Sequence, residues 1–352
     1  MGTLISLLVL SFLIFFHELG HFLAARFFGV RVEVFSIGFG KKIYQKTYGN
    51  TQYALSLIPL GGYVQMKGQD DADPTKVSYD EDSYNVKKPW QRVVILFAGP
   101  FANFILAFFL YIAIGNIGVT KFAPIIGNIS KESPALQSGL KNGDTILSIN
   151  GVKIKTWDEL SKKIRKSDGV LIFKIKRSDK ILKIRVIPKA HVYKNMFGET
   201  MKKKMVGIAP KGKTITLRYG LIKSISFALE ETKNATTMIV KSLQKLVEGV
   251  VPAKDLGGIV SIVQVTAKAS SIGIVALFGL TALISVNLGV LNLLPIPALD
   301  GGHIMFNLYE MITKKAPSQR VIYYLTLGGW AFLLSLMAFT IFNDINRLIG
   351  GS

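Results

Sequence analysis

The sequence predicts a polytopic α-helical membrane protein with four spans and β-rich extramembrane pieces. Three observations carry this. Of 352 residues, 49% are hydrophobic and the mean hydropathy is positive, yet the formal net charge is +21. The two hold together only if apolar and charged residues are segregated, and long apolar runs do alternate with Lys-rich stretches. Four of those runs supply the about 20 residues that a helix needs to cross a ~30 Å hydrocarbon core.

The elements follow in order. Segment 1–30 carries the first span, at about 3–25. It lacks a basic leading region and a small-x-small cleavage site, and its C-terminal half holds polar residues, so it reads as a retained helix. Segment 31–90 reads as short strands. Residues 43–48 and 52–57 alternate around Gly49-Asn50, a hairpin signal, and Pro59-Leu60-Gly61-Gly62-Tyr63-Val64 turns into a further strand. Residues 69–88 are acidic and polar and are expected to form a mobile loop. The second span, at 93–119, fills segment 91–119. Segment 120–192 is expected to be a small β-rich domain, with strands at 125–129, 145–149, 170–176 and 182–187 and a helix at 157–166. In segment 193–271, Leu243, Leu246, Val247 and Val250 recur at helical spacing while Lys241, Lys245 and Glu248 take other faces. That pattern predicts an amphipathic helix within 215–250. Segment 272–300 holds the third span, at 272–294, which stops at Pro295-Ile296-Pro297. A loop at 301–320 leads to the fourth span, at 321–345 within segment 321–349.

Short loops set the orientation. Arg26, Arg31, Lys87, Lys88 and Arg92 flank the loop between spans one and two, and Lys314, Lys315 and Arg320 lie between spans three and four. Both loops are expected to be cytoplasmic, with both termini and the long loop 120–271 outside. Lysines in that long loop do not count against this, because long domains translocate regardless of charge. The basic residues flank the spans instead of forming one aromatic-interleaved patch, so the partner they predict is the anionic surface of a lipid bilayer, not nucleic acid. There is no cysteine, which excludes disulfides and thiolate metal sites.

The chemistry concentrates in His17-Glu18-Leu19-Gly20-His21. On a helix, positions i and i+4 share one face, so both imidazoles can bind one Zn²⁺ while the intervening Glu takes a proton from water beside it. The bland reading is a polar cluster closing a helix end. Membrane depth argues against it, since ionisable groups inside a span are costly and default to function. A catalytic zinc needs a third protein ligand. The extended metzincin pattern fails, because Ala24 and Phe27 stand where Gly and His would be needed. Asp300 and His303, just beyond the proline break, are the candidates at membrane depth; His191 lies in the long loop. Asp300 could equally cap a following helix.

The motif in span one, together with Ser285-Val286-Asn287-Leu288-Gly289-Val290-Leu291-Asn292-Leu293-Leu294-Pro295-Ile296-Pro297-Ala298-Leu299-Asp300-Gly301-Gly302 around span three, closely resembles the site-2 protease family of intramembrane zinc endopeptidases. Similarity is greatest to the bacterial branch that cleaves a membrane-bound anti-sigma factor in envelope-stress signalling. It extends to Ala98-Gly99-Pro100-Phe101-Ala102-Asn103, to 58–64 and to 256–262, so most of the chain is matched in order.

The resemblance implies that His17, His21 and Asp300 hold Zn²⁺, that Glu18 is the catalytic base, and that Asn287 and Asn292 bind substrate backbone; two amides bonding neighbouring helices is the plainer alternative. Asn103 is expected to help bend and pack span two. The hairpin region, with Gly61, Gly62 and Tyr63, resembles the family's membrane-associated β-loop, whose edge can hold an extended substrate. Ser133-Pro134-Ala135, Ser138-Gly139-Leu140, Gly143-Asp144-Thr145-Ile146 and Ile149-Asn150-Gly151 make 120–192 resemble one extracytoplasmic PDZ domain, where some members carry two. The implied location is the bacterial inner membrane, with the active site toward the cytoplasm and a single-span protein such as an anti-sigma factor as substrate. The competing readings are a non-catalytic PDZ-containing membrane adaptor and a zinc transporter, which predict no metal and no peptide cleavage respectively.

Overall fold

The computed structural model describes residues 2–69, 78–195 and 199–350. The chain divides into two compact units, residues 1–114 with 221–352, and Gly115–Gly220.

In the first unit, helix α1 (Gly2–Phe27) is followed by two long, bent strands, β1 (Val32–Tyr48) and β2 (Thr51–Met66). They meet at the Gly49-Asn50 turn, and the pairing Tyr48↔Thr51 to Tyr44↔Leu55 forms the expected hairpin. The proline-glycine segment does not begin a separate strand; β2 runs through it and folds back, so that Val34, Phe35, Ser36 and Ile37 pair twice. Each meets the 52–55 stretch and also the 62–65 stretch. The 62–65 stretch has no second strand partner among the described residues. Of the loop expected at 69–88, residues 70–77 lie outside the described residues, and Lys67 ties the rest by ion pairs to Asp80 and Asp82 at 2.7 and 2.6 Å.

Helix α2 (Pro89–Ile117) contains Pro100 and completes the first half. The second unit, Gly115–Gly220, opens with β3 (Val119–Phe122), β4 (Ile126–Ile129), the short α3 (Pro134–Gln137), β5 (Thr145–Ile149), β6 (Val152–Lys153), α4 (Trp157–Arg165), β7 (Leu171–Arg177) and β8 (Lys180–Val186). Their alternation is plain in β7, where Leu171, Phe173 and Ile175 are buried and the residues between are exposed. A four-stranded sheet in the order β6-β5-β7-β8 results. The unit continues beyond 192 through β9 (Lys189–Lys194), β10 (Thr200–Met205), β11 (Ile208–Pro210) and β12 (Thr214–Leu217). β11 returns to pair with β4, and β12 with β3, so Val206 joins the core with Ile126 and Leu160. β11 and β12, three and four residues long, carry little alternation to read, which is why their membership was not legible. Thr156 caps α4, its side chain accepting from Glu159 N at 3.2 Å.

The first unit then resumes. The amphipathic helix is α5 (Leu221–Val247). Next comes α6 (Ile259–Ile272), a 14-residue apolar helix separated from the third span by Gly273, whose φ of +137° favours glycine. The span itself is α7 (Ile274–Asn292). Residues expected as a loop at 301–320 instead begin with α8 (Asp300–Thr313), and α9 (Gln319–Gly350) ends the chain. Among the described residues four helices, α1, α2, α7 and α9, are long and apolar enough to cross a membrane. Large apolar side chains such as Leu4, Leu8, Phe109 and Phe332 stand exposed on them, as lipid-facing residues do.

Candidate metal centre

α1 sets the first two groups. His17 and His21 are one helical turn apart and their Nε2 atoms face each other at 3.2 Å. α1 runs close to α2 here. A Cβ placed on Gly99 would fall among the ring atoms of His21, so only glycine lets this imidazole sit against α2. Across the same contact, His21 Nδ1 donates to the Ile95 carbonyl at 2.9 Å. That bond puts the proton on Nδ1 and leaves the Nε2 lone pair facing the centre.

The third group comes from the proline break. α7 ends at Asn292, and the chain turns through Pro295-Ile296-Pro297 into α8, whose first residue is Asp300. A Cβ on Gly301 would strike the backbone of Leu293 and Leu294, which explains why glycine follows the aspartate. Asp300 does not serve as a helix cap; its carboxylate reaches His17 Nε2 at 3.3 Å through Oδ2 and His21 Nε2 at 3.4 Å through Oδ1. At its other end α8 is tied to α2 by the Arg92–Glu310 ion pair at 2.8 Å.

The spacing of these atoms tests whether a metal fits. Donors ~2.0–2.1 Å from one tetrahedral centre stand about 3.3–3.4 Å from each other. The three separations are 3.2, 3.3 and 3.4 Å, whereas charge-assisted hydrogen bonds prefer about 2.7–2.9 Å. The donor set of two imidazole nitrogens and one carboxylate oxygen also suits zinc. The His17, His21 and Asp300 group is positioned to bind a metal ion.

Of the other expected residues, Glu18 lines a cavity of about 100 Å³ together with His17, His21 and Asp300. Gly62 and Tyr63 line it too, and they also border a larger cavity of about 710 Å³ that reaches Asp300, His303 and Trp330 of α9. Gly61 is buried against the Phe39 ring instead. Asn292 Nδ2 lies 3.2 Å from His17 Nε2. Asn287, five residues earlier and so about 140° around the helix, makes no hydrogen bond to the group. His303 borders the larger cavity without joining the three ligands, and His191 is an exposed residue of β9. One neighbour was not expected in this role: Asn103 of α2, fully buried, places Nδ2 3.2 Å from His17 Nδ1. An amide in an apolar span was the available signal.

Comparison with known proteins agrees with this geometry. The model of peptidase family M50 matches residues 5–336. A Campylobacter jejuni protein whose name describes a zinc metalloprotease is 51% identical over 99% of this chain and 94% of its own. A Helicobacter pylori protein with the same description is 42% identical over 98% and 99%. The regulator of sigma-W protease RasP of Bacillus subtilis is 29% identical over 99% of both chains. A match across nearly the whole chain, with two histidines and an aspartate at tetrahedral spacing, places this chain in peptidase family M50, the site-2 type of zinc metalloprotease.

Proposed function

We propose that the chain is an endopeptidase that cuts a single-span membrane protein, such as an anti-sigma factor, within or near its membrane segment. The observation that carries this is the outer edge of the 62–65 stretch of β2, which pairs with 34–37 on one side and has no second strand partner among the described residues, bordering a cavity of about 710 Å³ that opens onto Asp300. A substrate added there as an extended strand would satisfy its own backbone groups against the strand edge. It would then lie beside the two histidines. The name of the Bacillus relative, a regulator of a sigma factor, is consistent with this class of substrate.

A zinc ion held by His17, His21 and Asp300 supplies Lewis acidity toward the scissile carbonyl and toward water. Glu18 accepts the proton of the attacking water and delivers it to the leaving nitrogen as the C–N bond breaks. Asn292, 3.2 Å from His17 Nε2, would hold the substrate backbone beside it, and Gly62 and Tyr63, which line the same cavity as His17, would border its path. Unwinding a membrane helix frees N–H and C=O groups that must find such partners. Asn287 and Gly61 would act one layer away, through the helix and strand that carry these residues.

The orientation proposed from the loop charges puts this site toward the cytoplasm of a bacterial inner membrane. The unit of residues 115–220 is then an extracytoplasmic PDZ-like domain. A shallow groove of about 80 Å³ between α4 and 203–208, lined by Leu160, Ile164 and Val206 with Arg165 and Lys204 at its rim, supports that reading.

Glu18→Gln tests the mechanism. Purified protein should keep stoichiometric zinc and lose cleavage of a model transmembrane substrate by at least about 10²-fold. Cleavage at the wild-type rate would refute the assigned role. Wild-type protein that binds zinc but cuts no substrate would favour an adaptor or a transporter.

A further inference from the structure

Asn103 stands out among the buried polar groups. It is fully buried in α2, and its Oδ1 atom has no hydrogen-bond partner. Its Nδ2 points at His17 Nδ1 across 3.2 Å. Its backbone is fixed from the other side, where Ser285 Oγ of α7 donates to the Asn103 carbonyl at 2.8 Å.

The inventory of donors around His17 is informative. Two amide nitrogens, of Asn103 and Asn292, face one imidazole. A neutral imidazole has one lone pair and one N–H. If Nε2 gives its lone pair to a metal, Nδ1 must carry the proton, and a proton on Nδ1 needs an acceptor. An N–H₂ group facing it offers none. The two ends of a carboxamide are nearly the same size and exchange by a half turn of the side chain. After that turn, Oδ1 occupies the 3.2 Å position, accepts the Nδ1–H bond, and is no longer an orphaned acceptor. His21 already has the equivalent arrangement, with Nδ1–H donated to the Ile95 carbonyl.

We infer that Asn103 is the positioning residue of His17: its side-chain carbonyl accepts the Nδ1–H bond and thereby holds the ring with Nε2 toward the metal. This rests on the reading of His17 as a zinc ligand. Each histidine of the pair would then be oriented from α2, His21 by a main-chain carbonyl and His17 by a side-chain one. The two acceptors, Ile95 and Asn103, are eight residues apart in α2, about two turns. That separation exceeds the single turn between the histidines, and a side chain at the far position spans the difference.

Zinc affinity of the full-length protein, measured by chelator competition, tests this. Asn103→Leu keeps the shape and removes the acceptor, and should weaken zinc binding about 10–100-fold. Asn103→Asp keeps an acceptor and has no N–H, and should stay within about threefold of wild type or bind more tightly. Side-chain ¹⁵N spectra of the zinc-loaded aspartate variant should show His17 protonated at Nδ1. Wild-type affinity in Asn103→Leu overturns the inference. So does an aspartate variant as weak as the leucine one, since the amide N–H would then be the working group. If Asn103→Leu does not fold, the aspartate variant decides alone; its failure to fold with zinc present also counts against the inference, because His17 gives its carboxylate a partner. Wild-type protein that takes up no zinc refutes the metal reading itself, which separates the two failures.

Discussion

Two glycines, Gly20 of α1 and Gly99 of α2, let these helices approach closely at the metal centre. Gly99 leaves the space that the His21 ring fills. Gly99→Ala should therefore displace the ring or part the helices, at about 1–3 kcal/mol of stability. Because a displacement near 1 Å at a catalytic group costs about 10²-fold in rate, proteolysis should fall further than folding; zinc content, thermal unfolding and cleavage measured on the same preparation check this. Asp300 is the complementary case. Asp300→Ala removes the only anionic ligand of the group, and zinc retention through dialysis should be lost. Retention at the wild-type level would show that a different third ligand operates. The five residues from His17 to His21 were legible because helical spacing fixes which side chains share a face. Spacing alone left Asp300 as one of two candidates, since residues some 280 positions apart carry no geometric information in their separation, and the family resemblance singled it out.

Elements meet through a few polar groups buried among apolar helices. Asp344 of α9 is 2% exposed and accepts hydrogen bonds from Gly258 N, Val260 N and Ser261 N, each at 3.1 Å, and from Ser261 Oγ. It thus caps the N-terminus of α6 from another helix, where no local side chain does so. Asp344→Ala should cost about 2 kcal/mol, and Asp344→Asn, which keeps one acceptor, should cost less; chemical denaturation in a mixed micelle would rank the two. Equal costs would mean that the cap does not depend on an oxygen acceptor. Neither α6 as a separate helix nor its cap was read from the sequence. Residues 259–272 mix Gln264, Lys268, Ser270 and Ser271 with apolar residues and fall short of a span, and the positive φ at Gly273 divides them from α7.

At the scale of the whole molecule, the absence of cysteine makes topology directly measurable. In the proposed orientation, a single cysteine replacing Lys131 should react with a membrane-impermeant maleimide added outside intact cells. One replacing Lys315 should react only after permeabilisation. The reverse pattern would invert the molecule and put the metal centre toward the other side. Metal removal should also act on the whole first unit, because the group joins α1 to α8. A strong chelator should lower the unfolding temperature in proportion to binding lost, by RT ln(1 + [Zn]/Kd) in free energy, and the Asp300→Ala protein should show no such response.

The sequence by itself determined the spans, the hairpin at Gly49-Asn50, three of the four strands of the larger sheet (β5, β7 and β8) and the histidine pair. Each depends on a local period or a turn signal, and a chain in lipid must bury every backbone polar group within a helix or a closed pairing. Tertiary structure alone decided the rest. It showed that 34–37 pairs on both sides, that β11 and β12 close the second unit by returning to β4 and β3, and that Asn103 faces His17 while Asn287 does not. Such contacts join positions far apart in the chain, and the order of residues specifies which groups are available but not which of them meet.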